Sequence, residues 1–95
     1  MTALPMHRDA LIDPTGRYRY WLQRVWNARL PNFLCIGLNP STADASIDDP
    51  TIRRLLGFAL REGCGALTVV NIFALRATNP IVLLTDPDPI GPEND

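Results

Sequence analysis

The apolar positions of this chain fall into two nearly unbroken blocks with one stretch of helical spacing between them. Residues 33–38, FLCIGL, are apolar at almost every position, and residues 66–73, ALTVVNIF, are rich in β-branched side chains. Blocks of this length without alternation suit strands covered on both faces, as in a parallel sheet. Between them Ile52, Leu55, Leu56, Ala59 and Leu60 recur on one helical face, while Arg53, Arg54, Arg61 and Glu62 fall mostly off it. Asp49 followed by Pro50 supplies an N-cap and a first helical residue, and Gly63 supplies a left-handed stop. Strand, helix and strand in this order predict a right-handed βαβ unit with parallel strands.

Upstream, residues 18–26, YRYWLQRVW, alternate as a strand does, with Tyr18, Tyr20, Leu22 and Trp26 on one side and Arg19, Trp21, Gln23 and Val25 on the other. Arg24 interrupts the first set. Arginines on both faces predict an edge strand, antiparallel to the strand at 33–38, which is expected to lie centrally. Residues 1–16, with Pro5, Pro14 and Gly16, are expected to be a loose lead-in to a domain spanning 17–95. Residues 80–84 fit a short helix. Two strands apolar on both faces require layers above and below the sheet, and only one long helix is present to cover them. The expected fold is therefore a partial three-layer α/β/α sandwich with parallel central strands and an antiparallel edge strand. Its bare face awaits either further chain beyond residue 95 or a second copy through self-association.

Composition narrows the class. With 95 residues, 46% hydrophobic and 20% charged, the chain has the balance of one small globular domain rather than of a disordered segment. No window approaches the roughly 18 uninterrupted apolar residues of a membrane span, and the N-terminus lacks a basic start followed by an apolar block, so a cytoplasmic protein without a membrane partner is expected. Cys35 and Cys64 form no CxxC pair and His7 is the single histidine, so no metal and no cofactor are expected. Free thiols fit that compartment better than a disulfide, which two cysteines alone leave open. Net charge is −1, yet every basic residue is arginine and four of the ten acids lie in the last ten residues. Residues 1–85 therefore set nine arginines against six acids, a net of +3, which permits local phosphate contact. A compositional bias toward arginine explains the same count.

Both apolar blocks end in polar segments, and in open α/β sheets ligands bind beyond the carboxyl ends of the parallel strands. The first break supplies Asn39, Pro40, Ser41, Thr42, Asp44, Asp48 and Asp49, and the second Asn71, Arg76, Thr78 and Asn79. Asn39 and Asn71 would share one rim if the strands are neighbours, and paired amides can read a heterocycle edge or orient a water. Each residue also has a plainer use. Asn39 forms a turn before proline, Asp49 caps a helix, Asp48 is a solvated neighbour, and Arg76 makes a surface ion pair. Arg53, in the first helical turn, is the phosphate candidate, since a bound anion offsets the unfavourable dipole. Trp21 and Trp26 suit base stacking or, more simply, packing.

The stretches RYRYWLQRVW, IGLNPSTADASIDDPTIRR, VVNIFALRATNP and DPIGPEND, in this order, resemble the amino-terminal part of the DUF 1643 family, a domain of unknown function, from about Arg17 to the end. Its members are typically longer, which agrees with the unclosed sheet. More distantly, GLNPS is similar to the GINPG motif of mismatch-specific uracil-DNA glycosylases, and VVNIFALRATNP resembles a strand-plus-loop segment of the same superfamily. That likeness implies a glycosylase-like hydrolase acting on nucleic acid or nucleotide. Asn39 would be its catalytic residue at the water and Asn71 would read the base, with backbone amides around Ser41 and Thr42 near the ligand. Ser41 stands where those enzymes have glycine and Arg76 roughly where they have lysine. Their later loop has no counterpart here, so these 95 residues alone are expected to lack catalysis. The other reading is a noncatalytic module binding a nucleotide, a phosphate-bearing ligand or a protein.

Overall fold

The computed structural model describes residues 6–94. The first five residues of the expected lead-in, and Asp95, lie outside the described residues. Four strands form: β1 (His7–Ile12), β2 (Arg19–Val25), β3 (Asn32–Gly37) and β4 (Ala66–Asn71), with helix α1 (Pro50–Arg61) between the last two and a short 3-10 helix at Pro80–Leu84. They pair in the order β1-β2-β4-β3, with β3 parallel to β4 and the other two pairs antiparallel. The chain is thus a small mixed α/β fold of one four-stranded sheet and one helix.

Helix α1 begins and ends as its sequence demands. Asp49 is extended and accepts a hydrogen bond from the Ile52 amide at 2.9 Å, Pro50 opens the helix, and Gly63 has φ of 74° just beyond the Glu62 C-cap. Its inner face buries Ile52 and Ala59, with Leu55 and Leu56 partly covered against Leu22, Leu67 and Val69 of the sheet. A leucine, isoleucine or valine side chain contributes about 1.5–3 kcal/mol when fully buried. Leu60, expected on that face, is instead exposed.

The strand order corrects three expectations. Residues 7–12 of the lead-in are not loose but form β1, which pairs with β2 over its whole length. Their apolar signal is weak because β1 is an edge whose contribution is backbone pairing plus Ala10. β2 is an inner strand rather than an edge, and it pairs with β1 and β4 rather than with β3. Its arginines do not need solvent. Arg24, fully buried, donates to Asp48 Oδ1 at 2.9 Å and to the carbonyls of Asp9, Gln23, Asp44 and Ile47. Conversely β3 is at the sheet edge among the described residues, and its Leu34 and Ile36 are 59% and 66% exposed.

A β-bulge reorganises the faces of β2. Leu11 lies opposite Trp21 and Ile12 opposite Arg19, which leaves Tyr20 as the extra residue. The extra residue reverses the alternation, so Arg19 joins Leu22 and Arg24 on the helix side. Tyr18 and Tyr20, stacked with ring centroids 6.3 Å apart, build a second small core with Ala74, Leu75 and Leu83. Residues 88–94 return to that core: the Ala74 amide donates to Ile90 O and the Tyr18 hydroxyl to Asp88 O at 2.7 Å. Cys35 and Cys64 are free thiols. No helix of the described residues is long and apolar enough to cross a membrane.

Candidate ligand cavity at the parallel strand ends

Parallel pairing in register sets Gly37 directly opposite Asn71, so the chain leaves β3 and β4 at one level. Proline then ends β3, and backbone bonds continue to join the two exits: Ile72 N to Gly37 O at 3.0 Å, Phe73 N to Leu38 O at 2.9 Å and Ala77 N to Pro40 O at 2.9 Å. Asn39 fastens the same seam with its side chain, its Nδ2 donating to Ala77 O at 2.8 Å and to Pro40 O at 3.0 Å. Both amide protons are thereby used, and its Oδ1 accepts no hydrogen bond among the described residues.

Asn71 is 8% exposed, and its Oδ1 lies 2.7 Å from where a Cβ on residue 37 would stand, so only glycine leaves that space. Its Nδ2 is buried without a partner. Beside it a cavity of about 180 Å³ is bounded by Cys35, Leu38, Pro40, Ile52, Leu55 and Val69 on its apolar side and by Arg19, Asn39, Ser41, Asp49, Thr51 and Asn71 on its polar side. Leu38 and Thr51 are exposed, so the cavity reaches the surface at that end.

Of the residues singled out from sequence, Asn39, Pro40, Ser41, Asp49 and Asn71 meet at this cavity. The others lie outside its lining. Arg76 donates to Ser41 O at 3.1 Å, Thr42 O at 3.0 Å and Gly16 O at 3.1 Å, tying the loop after β3 to the β1–β2 turn. Ser41, Thr42, Arg76 and Thr78 border a second hollow of about 220 Å³. The Asp44 carboxylate accepts from the amides of Ser46 and Ile47 at 2.9 and 2.8 Å, which hold it below the usual aspartate range. Asp48 pairs with Arg24 and, at 3.2 Å, with Arg8, and Asn79 caps the 3-10 helix through the Ile81 amide. Arg53 is exposed, donates to Asp48 O at 2.9 Å and does not line the cavity. Trp26 packs on the core, and Trp21 borders a hollow on the opposite sheet face.

Arg19 is the cavity residue that sequence reasoning missed. It is 2% exposed; Nη1 donates to Ala43 O at 3.2 Å, and Nε has no partner. Burial pushes its pKa down to about 10, against the favourable field of Asp49 and with Arg76 and Arg24 adding repulsion, so the guanidinium stays charged at neutral pH. Asp49 makes no direct bond to it; its Oδ1 accepts from Ile52 N and its Oδ2 from Ala43 N. An unpaired buried ion costs several kcal/mol, and an unsatisfied amide about 1–3 kcal/mol. Two such groups at one cavity are a feature of sites rather than of packing. The signal for Arg19 was an arginine inside an aromatic strand, but the bulge that turns it inward has no sequence mark. Among the described residues no group of three or more His, Cys, Asp and Glu is placed to hold a metal.

No curated protein and no solved structure matches this chain. A family model described as protein of unknown function (DUF1643) matches residues 19–95, all of the sheet except β1 together with α1 and both loops of the cavity. The chain belongs to the DUF1643 family.

Proposed function

We propose that the rim of β3 and β4 binds a nucleobase or nucleotide, and that the intact protein acts on it as a glycosylase-like hydrolase. The observation that carries this reading is a pair of complementary unpaired functions on residues lining one cavity, the Oδ1 acceptor of Asn39 and the buried Nδ2 donor of Asn71. Such a pair matches the mixed donor and acceptor edge of a heterocycle. The volume of about 180 Å³ suits a single ring, since a cavity of about 150 Å³ takes benzene. In this reading Asn39 Oδ1 holds the attacking water and Asn71 meets a carbonyl of the base. Pro40, Ser41 and Thr42 flank the ligand, while Asp44 and Arg76 hold the loop. The test is base release from deaminated or mismatched DNA by the intact protein: Asn39→Ala is expected to abolish it. Absence of release, with no binding of uracil, nucleotides or DNA, would sink the proposal.

One observation favours a noncatalytic site for a nucleotide or another phosphate-bearing ligand. Asp49, the one acid lining the cavity, is buried and accepts a backbone amide on each oxygen, the arrangement of a helix cap rather than of a general base. Thermal stabilisation by nucleotides without turnover is its signature. The open sheet face bearing Leu34 and Ile36 is read as the seat of a further layer, completing a three-layer sandwich, or of a second copy. Sedimentation velocity separates these two.

A further inference from the structure

The cavity described above is lined by a buried cation that makes no ion pair, with Asp49 acting on it only through its field. None of the three ion pairs among the described residues includes Arg19, and the one acid in the cavity wall, Asp49, is committed to the Ile52 and Ala43 amides. Arg19 and Asn71 both line this space, and Arg19 Nε and Asn71 Nδ2 are buried without a partner. A buried guanidinium without an ion pair favours a ligand that presents anionic oxygens.

We infer that the cavity is an oxyanion subsite in which Arg19, with Asn71, seats a phosphate group of the ligand. This deepens the proposed nucleotide reading by naming the charge of its ligand and rests on it only for entry at the rim. A volume of about 180 Å³ takes one ring or one phosphate group, so with the phosphate seated here the base lies at the rim. The field agrees. Arg76 and Arg24 lie close enough to Arg19 to act on its protonation, and the first turn of α1 opens beside the cavity at Thr51 and Ile52. Asp49 opposes an anion, and its two backbone amide donors offset that charge only in part. At about 30 Å³ per water, a cavity of about 180 Å³ has the room of about six waters, enough for a tetrahedral group. Nothing in the sequence reading gave Arg19 a role, and the exposed Arg53, outside the cavity, is not needed for one.

The experiment measures melting temperature and calorimetric binding of the full chain at pH 7 and constant ionic strength, with inorganic phosphate, uridine, uridine monophosphate and a short single-stranded oligonucleotide. Phosphate and uridine monophosphate are expected to stabilise the fold, with uridine binding about tenfold more weakly or worse than its monophosphate. Arg19→Gln is expected to remove the phosphate response and Arg19→Lys to keep part of it. Uridine binding as tightly as its monophosphate overturns the inference, as does an undiminished phosphate response in Arg19→Gln. If that variant does not fold, the wild-type series decides, because phosphate stabilising no more than chloride overturns it equally. Oligonucleotide binding above mononucleotide assigns the phosphate to a nucleic-acid backbone, and the reverse to a free nucleotide. An Arg19-dependent phosphate response with none to uridine keeps this subsite and removes the base-reading role of Asn71.

Discussion

Single atoms decide what the cavity can hold. Gly37 is the clearest case, because a methyl group there would stand 2.7 Å from Asn71 Oδ1. The displaced oxygen ends a short side chain with open volume beside it, so the backbone need not move. Overpacking costs about 1–3 kcal/mol, and Gly37→Ala is expected near the lower end, about 1 kcal/mol, in urea denaturation. Ligand binding should suffer more, since the rotated amide then occupies the cavity. A stability loss without a binding loss would show that Asn71 is only a structural amide. Asn39 teaches the complementary lesson. Its turn-forming and chemical readings are not rivals, because two amide protons fasten the loops and the remaining oxygen stays open.

At the scale of elements, the βαβ unit was legible because each of its signals is local: unbroken apolar blocks, an Asp-Pro start, a glycine stop. Strand order was not. The place of β2 inside the sheet depends on Arg24 finding Asp48 and four carbonyls, three of them from β1 and the loop after β3, and no local pattern encodes such distant partners. The loop from 41 to 49 is likewise more ordered than its small polar residues suggest. Asp44 folds its end by accepting the Ser46 and then the Ile47 amide, and its pKa is lowered for that reason. A depressed carboxylate stabilises the fold above the ordinary aspartate pKa and loses that contribution as pH falls through the folded-state value. Stability is therefore expected to drop below about pH 4. Asp13, lowered chiefly by the Thr15 hydroxyl, titrates in the same direction. Asp44→Asn should flatten the acid slope only in part, as read from urea midpoints between pH 7 and 3. An unchanged slope would mean that Asp44 contributes nothing to it.

For the whole molecule, the sequence exposed a mismatch that the structure keeps. Residues 33–38 are apolar on both sides, yet α1 covers one face only, and the alternate residues Leu34 and Ile36 stand open at an edge strand without charge or proline to protect it. Their order in the sheet was misjudged because an apolar run reports that both faces are to be covered, not which neighbour covers them. An apolar patch of this kind on a small domain is a contact surface or an aggregation liability. Replacing both leucine and isoleucine separates this patch from the core. Leu34→Thr with Ile36→Thr is expected to leave the urea midpoint nearly unchanged, since neither side chain packs in the buried cluster, while fluorescence of a bound hydrophobic dye falls. A large loss of stability in the double variant would instead place these side chains in a core that this face completes.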